Sequence, residues 1–274
     1  MSPTADGELS EVLVQADRHA IVDRVLGFVA RAPYAYNDET LPRWNTPICA
    51  AILGLSPADG QFILTRVSEI AVSAGAPLAP QHCETNFVVV VTSDPVGLLN
   101  AWAARDRNRM FGDAGFSRIS KFINTSRAVR VWYNSKSQAT NGTTMMLSAA
   151  GPSGIDGGQP VQNNNHADGS RLEWNEVCSI TSVAVIVDAR LMTGFKIGQL
   201  AEYVAMVGLA EFNFDANIGA TPTILGLFKD QAGPVPLSLS PWDEAFLNAL
   251  YHVRQSSRLQ TDLITQSMVR YITR

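Results

Sequence analysis

The sequence predicts a mixed α/β fold of the α+β kind, a small mixed sheet packed with helices and ending in a helical C-terminus. Three observations carry this. Two valine-rich runs, Phe87 to Val91 and Val183 to Val187, are short enough for strands and apolar enough to be buried on both faces. Several longer stretches place apolar residues at spacings of three and four, the period of a helix. The tetrad Ser-Pro-x-Asp occurs twice, at Ser56 and Ser240, and each reads as a helix start with a hydroxyl cap, proline in the first turn and an acid near the positive end of the dipole.

Taken in order, Leu9, Val12, Leu13, Ala16, Ala20, Ile21, Val25 and Phe28 mark an amphipathic helix over 8–32, which Pro33 ends. Residues 34–55, with Pro42, Pro47 and Gly54, read as an irregular connector. A helix follows from Ser56 to about Gly75, where Gly75-Ala76-Pro77 supplies the stop. Asn86 to Thr92 is a buried strand. Asp94 and Pro95 then open a short helix to Arg105, and a weakly patterned stretch leads to a strand from Ala128 to Tyr133, placed near an edge because Arg130 interrupts it.

Residues 134–176 differ from the rest. Asn134, the glycines from Gly151 to Gly158 and Asn163-Asn164-Asn165 give a polar, turn-rich composition that builds no core, so a loop insertion is expected within one domain spanning 1–274. Thr181 to Asp188 reads as a second buried strand. A glycine turn, a helix near 199–210, an irregular stretch around Pro222 and two helices near 241–252 and 256–272 complete the chain.

Composition excludes several classes. With 274 residues and 46% apolar side chains the chain can bury a core. Its 21 basic and 25 acidic residues give a net charge of −4, and no dense Lys/Arg block in the sequence suits a row of phosphates, so no nucleic acid partner is expected. Apolar runs of about five residues fall far below the ~20 needed to span a bilayer. The start Met1-Ser2-Pro3-Thr4 shows no export signal. Cysteine usage nevertheless leans towards a periplasmic or secreted protein whose leader has been removed. Cys49 and Cys83 flank one helix, and an oxidised pair closing a loop of ~35 residues would stabilise the fold by roughly 3 to 4 kcal/mol. Two buried thiols are the alternative for this pair. Cys178 reads as a core residue.

No intact catalytic motif occurs. His19, His82, His166 and His252 are scattered, with no pair at metal-ligand spacing. Gly151-Pro152-Ser153-Gly154 lacks the strand and helix that a nucleophile elbow needs. Asn124-Thr125-Ser126 and Asn141-Gly142-Thr143 are glycosylation triplets of the kind that arise by chance.

One window has more shape. Ala201-Glu202-Tyr203-Val204-Ala205-Met206-Val207-Gly208-Leu209 resembles the His-Glu-x-x-His-x-x-Gly-Leu helix of the metzincin and matrixin zincins, with glutamate and glycine-leucine in register. Downstream, Leu239-Ser240-Pro241-Trp242-Asp243 and Ala249-Leu250-Tyr251 are similar to the start of the matrixin C-terminal helix. The chain as a whole resembles uncharacterised bacterial envelope proteins and lipoproteins with a zincin-like core. The resemblance implies a metal position at Ala201 and Ala205, with Glu211 at the third ligand place and Glu202 as the relic of a general base. Methyl groups cannot coordinate Zn²⁺, and without the metal Glu202 has no acidified water to act on. Glu211 and Asp215 could offer only oxygen, which favours a harder, more weakly held ion.

The expectation is therefore a noncatalytic exported envelope protein, with no metal and no cofactor, whose former protease cleft serves binding or assembly with a protein partner. Trp132, Tyr133, Arg171 and Trp174 are the candidate binding anchors, and core packing is the competing role for each aromatic. Two other readings stand beside it: a hydrolase or peptidase with a non-local site, and a purely structural subunit. A plain amphipathic helix, with Leu200, Tyr203, Val204 and Val207 buried, equally accounts for the window at 201–209.

Overall fold

A computed structural model describes residues 18–34, 40–139, 172–174, 176–219, 221–229 and 237–274. Its centre is the strand β5 (Glu176–Asp188). Along one edge of β5 runs β4 (Val129–Ala139), antiparallel. The other edge is shared by two parallel strands. β1 (Arg43–Trp44) pairs with Ser179 and Ile180, and β3 (Phe87–Thr92) pairs with Val183 to Asp188. β2 (Ala50–Leu53) then lies parallel to β3, with Ala50 opposite Phe87.

Strand geometry sends successive side chains to opposite faces, and the valine runs use both. Phe87, Val89, Val91, Val183, Val185 and Val187 face the larger core, whereas Val90, Ala184 and Ile186 face a smaller one. The sheet is thus covered on both sides by helices. A close approach fixes the turn after β2: Gly54 has φ +86°, and a Cβ there would sit 1.9 Å from the Val91 carbonyl oxygen.

On the larger face lie α1 (residues 18–29), α2 (Pro57–Ala74), α5 (Ile197–Leu209), α6 (Pro241–His252) and α7 (Gln260–Ile272). The Ser56 hydroxyl caps α2 by accepting from the Asp59 amide, and Gly75 ends it in the left-handed conformation at φ +85°. Ile63, Val67, Ile70, Ala71 and Ala74 form its buried stripe. α6 begins with a reciprocal cap between Ser240 and Asp243. α5 differs from the others, because every residue from Leu200 to Leu209 is buried. A helix apolar all round belongs in the middle of a core. Gly208 lets it settle onto the sheet, since a Cβ there would lie 2.1 Å from the Phe87 ring.

The smaller face carries α3 (Pro95–Phe111) and α4 (Phe116–Asn124). Leu99, Phe111, Ile119, Ile123 and Trp132 fill the space between them and the sheet. Trp132 meets the Phe111 and Phe122 rings edge-on at 5.1 and 5.0 Å.

Several boundaries differ from the sequence expectation. The connector at 34–55 contains β1 and β2, which are too short to show periodicity. α3 runs on to Phe111 past a kink at Asp106, where φ −152° and ψ 66° break the helical repeat. The weakly patterned stretch after it holds α4, anchored by Ile119 and Ile123 one helical turn apart. β4 extends to Ala139 and β5 begins at Glu176, so the hairpin enters the stretch read as a polar insertion from both ends. A register shift at Asn134 and Ser135 lets polar residues continue the ladder. Of the N-terminal helix expected over 8–32, residues 18–29 are helical and 1–17 lie outside the described residues, as do 140–171 of the insertion. Among the described residues no helix is long and apolar enough to cross a membrane.

Candidate functional site

The candidate site is the buried helix α5 with the groups that touch it. Ala201 and Ala205, at the positions where zinc ligands were sought, have no exposure. Glu202 is 6% exposed, and both of its oxygens are engaged. Oε1 accepts from the Arg66 Nε on α2 at 2.5 Å, and Oε2 accepts from the Leu239 backbone amide at 3.0 Å. Arg66 also reaches Glu69 at 3.0 Å, and these carboxylates hold its guanidinium above the usual arginine value. The Glu202 carboxylate therefore ties α5 to α2 and to the chain entering α6. A cavity of about 200 Å³ has Arg66, Glu69, Leu239 and Tyr271 in its wall, but not Glu202, Ala201 or Ala205.

The C-terminus of α5 is finished in an uncommon way. Ala210 is extended, with φ −144° and ψ 151°, so no glycine cap turns back to satisfy the last carbonyls. Three aromatic side chains do so instead. Tyr133 on β4 donates to the Val207 carbonyl at 2.7 Å, Trp44 Nε1 on β1 to Gly208 at 2.8 Å, and Tyr251 on α6 to Leu209 at 2.7 Å. Burial pushes the Tyr133 and Tyr251 hydroxyls well above the ordinary tyrosine value, keeping them neutral donors.

Just past the helix, Glu211 is 9% exposed and accepts from the Ser135 hydroxyl at 2.9 Å. Burial pushes its carboxyl up to about 7, opposed by that hydrogen bond and by Arg118. Asp215, the other candidate oxygen ligand, pairs with Arg127. Phe214 between them stacks on Tyr133 at 6.4 Å. Asp243 is fully buried and accepts from the Thr223 hydroxyl, the Ile224 and Ser240 amides and the Ser240 hydroxyl. Burial raises its carboxyl, and these four donors oppose the rise. Among the described residues no three His, Cys, Asp or Glu side chains approach closely enough to hold a metal ion.

The other sequence candidates are dispersed. Trp132 is buried under Arg118, whose guanidinium lies 4.9 Å from the ring centroid, and Tyr133 points inward to α5. Trp174 is half-buried beneath Arg258 at 4.1 Å, and Arg171 lies outside the described residues. His19 and His82 are exposed, His252 closes α6 with Nδ1 2.9 Å from the Asn248 carbonyl, and His166 lies outside the described residues. Cys49 and Cys83 stand at disulfide distance, with sulfurs 2.03 Å apart, and Cys178 is buried in β5.

Sequence reasoning missed Arg66, Trp44 and Tyr251. Their partners lie 136, 164 and 42 residues away, and no local pattern announces such pairs.

Fold and site together define a mixed α/β protein built round one enclosed helix. No known protein family, curated protein or solved structure matches the chain.

Proposed function

We propose that this chain is a noncatalytic, exported envelope protein whose zincin-like frame serves binding or assembly. The observation that carries the reading is the double engagement of Glu202. A general base needs an oxygen within reach of a reacting water, whereas this carboxylate is buried, does not line the neighbouring cavity, and has one oxygen tied to Arg66 and the other to the Leu239 amide. The alanines at 201 and 205 add no donor atoms. The element order, with a β4–β5 hairpin leading into α5 and a capped α6 after it, supports the zincin-like part. The Cys49–Cys83 pair supports export, since such bridges persist in oxidising compartments.

The test is metal analysis and peptidase assay of protein purified without chelator, alongside Glu202→Gln. The reading expects substoichiometric transition metal and no chelator-sensitive peptidase activity in either protein. Near-stoichiometric zinc, with an activity lost on chelation and in Glu202→Gln, overturns it. Recovery of the same partners from an envelope fraction with and without residues 140–170 would remove the polar insertion from the binding role.

A further inference from the structure

Charge is unevenly distributed along this chain. Residues 105–130, under a tenth of the sequence, hold seven basic and two acidic side chains, a net charge of +5. The remainder holds 14 basic and 23 acidic residues, a net charge of −9. No continuous basic run marks the segment, because its cations are interleaved with Asp106, Asp113 and apolar anchors.

The fold gathers them. Residues 105–124 lie in the α3–α4 layer, whose inner side is filled by Phe111, Ile119 and Ile123. Three of the seven cations are engaged internally: Arg107 donates to the Ala114 carbonyl, Arg130 is buried against the Thr125 carbonyl, and Arg127 pairs with Asp215. The other four, Arg105, Arg109, Arg118 and Lys121, are exposed and form no ion pair among the described residues, although Arg118 lies over Trp132 and is felt by Glu211. In the same layer the α4 N-terminus exposes Phe116 at 76%, and the Arg107 guanidinium sits 3.9 Å from the centroid of that ring. Phe116 is the most exposed large apolar side chain of the described residues.

We infer that the α3–α4 face is a peripheral docking surface for an anionic lipid bilayer. A net excess of exposed cations in the layer that carries a projecting aromatic on a short amphipathic helix matches the two layers of such a surface. The cations meet the headgroup phosphates and the ring enters the boundary with the acyl chains. This inference is independent of whether α5 descends from a protease helix.

The experiment is vesicle co-sedimentation of the full chain at low and high salt. One vesicle is pure phosphatidylcholine, and in the other about a third of the lipid is phosphatidylglycerol, enough to give a negative surface potential. Binding is expected only to the anionic vesicle and should fall as salt rises. Arg109→Glu with Lys121→Glu should lower it by more than tenfold, at about fivefold per lost cation. Phe116→Ser should weaken it severalfold while leaving its salt dependence unchanged. Arg270→Glu, an exposed change on α7, should have a much smaller effect, and circular dichroism should show all variants folded. Equal sedimentation with both vesicles, undiminished binding by the folded Arg109→Glu, Lys121→Glu protein, or tighter binding to a DNA duplex or to polyglutamate than to the anionic vesicle would overturn the inference.

Discussion

Glu202 and Arg66 meet at 2.5 Å across the interface between α5 and α2, and the carboxylate's second oxygen receives the Leu239 amide. In a 13-residue helix otherwise free of charged side chains, the acid acts as a three-way tie. Glu202→Ala should destabilise the protein by about 2–3 kcal/mol, because it removes two charge-assisted hydrogen bonds and leaves a buried amide unpaired. Glu202→Gln should cost less, about 1–2 kcal/mol. Urea unfolding with a double-mutant cycle against Arg66→Gln checks this, and a coupling near zero would show that the pair contributes nothing.

Glu211 predicts a pH dependence of definite sign. Its folded carboxyl, raised to about 7, lies above the ordinary 4.5, so the unfolded chain releases this proton first. The contribution is fully present below about 4.5, declines as pH rises between the two values and is gone above the folded value. Over that window it amounts to roughly 3 kcal/mol. Glu211→Gln, which keeps an acceptor for Ser135, should be more stable than wild type at pH 8 and close to it at pH 4.5. Thermal midpoints across that range provide the check.

Gly208 sits where a methyl group would run into the Phe87 ring. Gly208→Ala should therefore destabilise by about 1–3 kcal/mol despite alanine's better helix propensity. Phe87→Leu in the same chain should recover part of that loss, which equilibrium unfolding of the single and double variants measures.

The Cys49–Cys83 pair predicts a thiol count. Unfolded without reductant the protein should titrate one thiol, and with reductant three. Breaking the 34-residue loop should lower stability by about 3–4 kcal/mol. Three thiols before reduction would show the pair unbridged.

Much of the framework was legible because it is written in short-range pattern. Ser56 and Ser240 marked two helix starts to the residue, and the valine runs marked the two central strands with both faces buried. The pairing of Cys49 with Cys83 was readable as one of two alternatives, since the two cysteines flank one helix in the sequence, although β2 also lies between them. What escaped has long-range causes. Arg43 and Trp44 become a strand only because β5 offers a free edge at Ser179 and Ile180. α4 shows just two buried isoleucines, and the Phe111, Phe122 and Trp132 cluster that holds it is completed by a residue on β4. At the candidate site the sequence showed what alanine at 201 and 205 cannot coordinate. It could not show that Glu202 finds its cation 136 residues earlier on α2.

The aromatic finish of α5 has a bearing on how the molecule comes apart. Helices commonly fray from their ends, where the last carbonyls have only water to lose. Here the terminal turn is bolted by Tyr133, Trp44 and Tyr251 to a hairpin strand, a short parallel strand and another helix. Unwinding that turn requires three separate parts of the chain to let go at once. The amides of α5 should thus exchange with deuterium only through global opening, at the same rate as those of β5, making helix and central strand one cooperative unit.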